Sequence, residues 1–525
     1  MNPPKFDTVA QCLEHYAEHT PDALLIRHGD RSITYATAAA RAERLARVML
    51  AHGVRRGDCV CVYSHPHSEV LMIFLAACSI GAVFVGINPR QTPAEITHVL
   101  GTAVPVHLFV IGSFDDEHLE KFALLEELLP RARVVLGETP VRGAIDYQDY
   151  LATAATDFDT YLAARRAVES SDPVAMVFTS GSTGKPKGAL LTNGPMMTSY
   201  SVQAQHWYRD GEPPQGVADL PIHHLGFIGD NCMAVFPAGG GVSVLERWTA
   251  EGVLELIERN RLTFWWTQTT LLQLATQSPR WDRTDFSSLT LIGFAGAPVN
   301  ERMFQRLLDL NIPLSTGYGM TEVHGNCTYT DIGADPEVIR GTVGKPDPQF
   351  DVGVMRKDGT LAAPGEVGEI VIKGPSLCGG YRHAGGATTD VRDDDGWYHT
   401  KDLGSFREDG NLRLVGRKDE MFKSGGYNVY PRELEIALEE HPDVRSAVVL
   451  RVPDEKWGHV GAAFVLRQSD ALTEEDLRRH MRAQVANYKV PKLFVLCDEF
   501  PMLASGKVDR VTLSKIADRF RNCSV

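Results

Sequence analysis

Residues 174–188 read VAMVFTSGSTGKPKG. The run from Val174 to Phe178 is apolar throughout, short enough for a strand and suited to burial on both faces. The character then changes at once. Thr179, Ser180, Ser182 and Thr183 supply hydroxyls, Lys185 and Lys187 supply ammonium groups, and Gly181, Gly184 and Gly188 free the backbone, with no acid among them. A glycine-rich loop leaving a buried strand can aim N–H groups, hydroxyls and positive charge at phosphate oxygens. It is not a Walker A loop, which needs four residues between its glycines and a hydroxyl residue after its lysine. Here Gly181 and Gly184 stand closer together and Pro186 follows Lys185. A flexible Gly/Ser turn is the plainer reading, and the strand context and paired lysines weigh against it.

Outward from this strand the same rhythm recurs. Helical patterns at 9–19, 35–52 and 93–101 alternate with apolar runs at 59–64, 106–111 and 134–136, and later a helix at 250–260 precedes 264–266. This predicts an α/β fold of layered, mainly parallel sheets. After residue 340 short strand-like runs at 352–355, 368–373 and 412–415 are punctuated by Gly, Pro and Asp, as in a small β subdomain. From Val429 a compact α+β pattern follows. The expected organisation is a large N-terminal domain over 1–418 with its β subdomain at about 340–418, and a small, mobile C-terminal domain over 420–525. The chain of 525 residues is too long for one core.

The uncharged stretch 70–87 could be weighed as a membrane span. Gly81 breaks it, so it is read as a buried helix feeding a buried strand, with no span. The formal charge of −14 argues against a nucleic-acid partner. Residues from 420 onward balance in charge, so the whole excess lies on 1–419. Nine scattered cysteines with no CxxC ladder, and no address at either end, fit a cytoplasmic protein.

Three further clusters carry chemistry. In 315–322, STGYGMTE, Tyr318 between Gly317 and Gly319 can lie against a base, Thr321 can bond a phosphate, and Glu322 can hold Mg²⁺. In 396–431, Asp402 can accept both hydroxyls of a ribose and Arg417 can donate to the same sugar. The third, 505–510, places Lys507 on a glycine turn and is unremarkable on physics alone.

Together these clusters, in this order and spacing, resemble the adenylate-forming superfamily of acyl-CoA synthetases, peptide-synthetase adenylation domains and firefly luciferase. The resemblance implies that a carboxylate attacks the α-phosphate of MgATP to give acyl-AMP and pyrophosphate, and that a thiol, coenzyme A, then displaces AMP. By the same resemblance Thr179 to Lys187 grips the phosphates, Gly296, Ala297 and Pro298 form the adenine-side loop, and Lys507 bridges carboxylate and α-phosphate. Asp419 is the implied hinge, and Lys423, Ser424, Gly425, Gly426 and Tyr427 line the implied thiol tunnel. The usual Thr-Gly-Asp of the family is here Thr400-Lys401-Asp402, with less backbone freedom at the middle position.

By family analogy the acyl pocket is walled by His224, Phe227, Trp265, Trp266, Gln268, Phe294, Gly317 and Met320. Bulky walls favour an aryl, alicyclic or short-to-medium-chain acid over a long fatty acid. No acid stands in 223–227 to anchor an α-amino group, and Asp230 is the nearest one. Free coenzyme A is the expected acceptor, with a separate carrier protein as the alternative. The oligomeric state stays open, a homodimer being one option.

Overall fold

The structure is a computed structural model. It describes residues 4–130, 132–139, 141–179, 186–208, 212–296, 299, 301–425, 427–502 and 508–522. Ser180 to Lys185, Ala297, Pro298, Gly426 and Lys507 therefore lie outside the described residues.

Two parallel-rich sheets carry the site. The larger runs from Thr388–Thr389 through Tyr381–Arg382, Lys187–Thr192, Pro173–Thr179, Val83–Ile87, Cys59–Ser64, His107–Ile111 and Ala132–Leu136 to Ile145–Asp146. From Pro173–Thr179 onward its pairings are parallel, and Lys187–Thr192 turns back antiparallel beside that strand. Every residue of Cys59–Ser64 and Val83–Ile87 is buried, as parallel strands covered on both faces must be. The helix Ser68–Ser79 is buried along its whole length, which accounts for the uncharged stretch. It ends before Gly81, whose φ of +70° breaks the pattern. No helix among the described residues is long and apolar enough to cross a membrane.

The second sheet orders Phe264–Gln268, Leu291–Ala295, Leu314–Met320, Gly325–Tyr329 and Lys345–Pro346. Its first three strands are parallel, and Leu314–Met320 folds back on Gly325–Tyr329 as an antiparallel hairpin. A third sheet joins Leu24–His28 and Arg31–Thr34 to Gln215–Ala218 and Gly241–Val244. These layers bear out the α/β reading.

The fourth sheet, Asp351–Met355, Gly368–Lys373, Tyr398–Phe406 and Leu412–Arg417, is wholly antiparallel. Beyond it Phe422–Ser424, Tyr427–Val429, Gly458–Arg467, Val444–Asp454 and Leu493–Cys497 make a separate small sheet. Helices Pro431–Glu439 and Glu474–Gln484 cover it around a core of Val429, Leu434, Val449, Leu477 and Phe494. Thr473 caps the second helix with a reciprocal bond from Asp476.

Candidate active site

The C-terminal ends of Pro173–Thr179 and Leu314–Met320 meet, and an ionisable cluster forms where they do. Thr179, the last residue of its strand, donates its hydroxyl to Oε1 of Glu322 at 3.1 Å. The Tyr381 hydroxyl donates to the same oxygen at 2.8 Å. Oε2 of this buried carboxylate has no donor among the described residues. Lys187 lies over the Tyr381 ring with Nζ 4.9 Å from its centroid.

One imidazole fixes the turn that delivers Glu322. His324 adopts a φ of +56° and is buried. Its Nε2 accepts the Thr192 N–H at 3.0 Å, and its Nδ1 lies 2.7 Å from the Ser376 carbonyl. Nδ1 is therefore the protonated nitrogen, and burial pushes the ring's pKa down to about 4. The Cys378 N–H completes the arrangement by donating to the Glu322 carbonyl at 2.8 Å. Tyr381 and His324 were not anticipated from the sequence. Each is a single residue whose partners lie tens of positions away.

A second cluster sits on the β subdomain. Asp402 and Arg417 face one another in strand register, and Nη1 of Arg417 lies 3.3 Å from Oδ1 of Asp402. The Tyr318 hydroxyl donates to Oδ2 at 2.7 Å. Burial beside Asp402 holds the Tyr318 phenol well above its usual range, so it remains a donor. Tyr318 stands in a strand, with its ring largely buried. Nearby, Gly296 is exposed at a φ of +96°, just past the end of Leu291–Ala295.

The acyl side differs from expectation. Phe227, Trp265, Trp266 and Phe294 are at most 3% exposed. Trp265 packs toward Trp281 among the helices, while Trp266 lies on the other face against Trp207, 4.4 Å between ring centroids. These four belong to cores and offer no accessible wall, whereas His224, Gln268, Gly319 and Met320 keep accessible surface. Gly317 is buried in its strand. The Pro221–His224 segment is held against the larger sheet because Gly86 has no side chain. A Cβ there would stand 2.1 Å from the Ile222 carbonyl oxygen. His224 Nδ1 accepts the Gly226 N–H at 3.0 Å, and the chain then enters a π-helix over Phe227–Met233.

On the small sheet Lys423 is exposed and Ser424 is buried, paired with Tyr427 and Gly458. Gly425 has a φ of +56°, and a Cβ there would press on the Trp457 ring at 2.7 Å. Tyr427 is exposed and stacks on Tyr488 at 4.7 Å.

The sequence profile of the AMP-binding enzyme family matches residues 13–382, and that of the AMP-binding enzyme C-terminal domain matches 433–507. This chain belongs to the AMP-binding enzyme family. Feruloyl-CoA synthase of an Amycolatopsis species is 34% identical over 498 residues, covering 94% of this chain and 95% of that protein. Indoleacetate–CoA ligase of Aromatoleum aromaticum is 30% identical over 514 residues, covering 97% and 98%. Among solved structures, the o-succinylbenzoate CoA synthetase of Bacillus subtilis, in complex with its acyl-adenylate intermediate, superposes with a TM-score of 0.80 at 26% identity. That match covers 96% of this chain and 97% of the other. As an AMP-binding enzyme of this branch the protein is an acid–thiol ligase, an AMP-forming acyl-CoA synthetase.

The residues present fit the magnesium ion the family implies. A buried carboxylate with one oxygen lacking a donor among the described residues, beside the Thr179 hydroxyl, is an all-oxygen set of the kind hard divalent cations take.

The family's glycine position is the clearest departure. Lys401 adopts a φ of +64°, the left-handed region where glycine sits without strain. Its N–H donates to Glu369 Oε1 at 3.1 Å and its carbonyl accepts the Lys418 N–H at 2.8 Å. The side chain is put to use, with Nζ 3.6 Å from Oδ2 of Asp419.

Proposed function

We propose that the protein is an ATP-dependent carboxylic acid:CoA ligase acting on a compact aryl or alicyclic acid, with free coenzyme A as the acceptor. The observation that carries this is the convergence of Glu322, held by Thr179 and Tyr381, with Asp402, held by Tyr318 and Arg417, at the ends of the parallel strands. The first cluster suits the triphosphate end of a nucleotide and the second its ribose.

A carboxylate and a triphosphate repel each other, so the barrier to their meeting falls when fixed positive groups and donors surround the point of attack. Lys185 and Lys187 on the phosphate loop, and Lys507 from the small domain, supply that charge locally in a chain of net charge −14. Thr321 bonds the α-phosphate, and Asp402 fixes the ribose so that the α-phosphate faces the acid. Magnesium held at Glu322 would neutralise charge on the phosphate oxygens. His224 borders the acid. Because Lys507 belongs to the small domain and Glu322 to the large one, the chain swings about Asp419 between half-reactions, and the Lys423 to Tyr427 segment then lines the thiol's path. Similarity to ligases of feruloyl and indoleacetate groups supports an aryl acid.

Pyrophosphate release across a panel of carboxylic acids, with and without coenzyme A, tests the reading. Aryl acids should release pyrophosphate and give a thioester only with coenzyme A. A thioester formed only on a carrier protein would move the acceptor, and no release with any acid would end the proposal. Lys507→Ala should abolish adenylation while sparing thioester formation from supplied acyl-AMP, and equal loss of both would remove the swing from the mechanism.

A further inference from the structure

The π-helix Phe227–Met233 places one carboxylate in the interior that the chemistry above does not use. Asp230 sits among Gly229, Asn231 and Cys232, all buried, yet it keeps accessible surface of its own. Oδ1 accepts a hydrogen bond from the Tyr200 hydroxyl at 3.1 Å. Oδ2 has no donor among the described residues. An interior side chain with accessible surface and an unsatisfied oxygen borders an internal space, because burial without a partner is costly.

The surroundings say which space. Tyr200 comes from the helix Asn193–Trp207, and its hydroxyl passes so close to Gly229 that a Cβ there would stand 2.0 Å from it. The same hydroxyl is 3.1 Å from where a Cβ on Gly325 would lie. Gly325 is the register partner of Met320 in the hairpin, and Gly319 pairs with Asn326. The Tyr200–Asp230 pair thus lies beside the hairpin end where Gly319 and Met320 keep accessible surface, with Asp230 six residues beyond His224 in the chain. Asn326 and Gln203 are buried next to the pair, with Nδ2 of Asn326 3.4 Å from Oε1 of Gln203. No cation is paired with Asp230 among the described residues.

We propose that Asp230, positioned by Tyr200, is a specificity-determining residue that accepts a hydrogen bond from a hydroxyl on the ring of the acid, so that the preferred substrates are hydroxyaryl acids. The proposal rests on the ligase reading and names the substituent within its substrate class. Burial raises the Asp230 carboxyl to about 6, which leaves it ionised near neutral pH. An ionised carboxylate accepts and cannot donate, so it selects a donor such as a phenol over an ether or a halogen at that position. Two glycines that make room for the Tyr200 hydroxyl show that the backbone is shaped around this pair.

The test compares kcat/KM for pyrophosphate release with a hydroxyaryl acid and the same acid lacking the hydroxyl. The native enzyme should favour the hydroxylated acid by at least about 10-fold, since a site built to bond a hydroxyl discriminates against its absence. Asp230→Leu should bring the ratio near one while activity on the unsubstituted acid stays within a few-fold. Asp230→Asn keeps the volume and one acceptor, and should give an intermediate ratio. Tyr200→Phe should lower the ratio through KM for the hydroxylated acid alone. Thermal unfolding of each variant establishes folding, and Asp230→Asn carries the test if Asp230→Leu does not fold. A native enzyme that adenylates both acids equally, or a ratio unchanged in Asp230→Asn and Asp230→Leu, overturns the inference and leaves the ligase standing. Failure to adenylate any acid overturns the ligase reading, and the inference with it.

Discussion

The side we assign to the nucleotide and the side we assign to the acid are built on opposite plans. On the nucleotide side the functional groups hold one another: Thr179 and Tyr381 on Glu322, Tyr318 and Arg417 on Asp402. Three of the four contacts span elements far apart in sequence, and the fourth joins neighbouring strands, so the arrangement is set before any ligand arrives. On the proposed acyl side the large aromatic residues are absorbed into cores. Asp219, just ahead of the Pro221–His224 segment, is buried with neither carboxylate oxygen in a good hydrogen bond. The Asn231 amide and the Trp248 indole are its nearest donors. The side we assign to the nucleotide is braced by contacts among its own residues, and the side we assign to the acid holds a buried carboxylate without such bracing.

The largest effect expected from breaking this contrast is at Glu322. Glu322→Gln keeps the Thr179 and Tyr381 donors supplied with an acceptor but removes the charge, and should lower kcat/KM for pyrophosphate release by about 10²-fold or more, as loss of a pre-set electrostatic group does. A loss of only a few-fold in a steady-state assay would show that the cluster is structural.

Asp219 tests the other side. Burial raises its carboxyl to about 7, from the 3.8 ordinary for an aspartate. The folded state therefore keeps a proton that the unfolded chain has released, and stability falls as pH rises between those values. Asp219→Asn does not titrate, so its stability relative to the native chain should improve from pH 5 to pH 8 by roughly 1–3 kcal/mol. Thermal unfolding at the two pH values measures this, and parallel curves would mean that the carboxyl is better satisfied than its neighbours suggest.

The smallest effect is expected at Lys401. Lys401→Gly relieves a left-handed residue, worth about 1 kcal/mol, and loses an exposed ion pair worth between about 0 and 1 kcal/mol. Net stability should change by less than about 1 kcal/mol. Salt dependence of the balance between the two half-reactions should weaken, because the Lys401–Asp419 pair is the screened element. An identical salt response in the variant would detach Lys401 from the hinge.

Much of the architecture was legible in the chain. The helix Ala250–Asn260 and the strands Cys59–Ser64 and Gly368–Lys373 have the ends that periodicity and punctuation indicate, because burial and capping agree there. The sheet joining Leu24–His28 to Gly241–Val244 was not legible, since its short strands pair across two hundred positions and carry no local pattern of their own. The aromatic wall failed for a simpler reason. Trp265 and Trp266 are adjacent in a strand and must face opposite sides, so they could never have shared one pocket. The π-helix that turns Asp230 inward leaves no sequence mark, being a change of one residue in hydrogen-bond spacing.

The imidazole of His324 gathers three separate threads of the chain, 192, 324 and 376, which lead to Lys187–Thr192, Glu322 and Tyr381. They share one fate. As pH falls from 6.5 toward about 4 the unfolded chain takes up a proton more readily than the folded ring, and native stability drains away. A ring protonated on both nitrogens can no longer accept from Thr192, so acid loosens, at one atom, the junction that ties these three threads together.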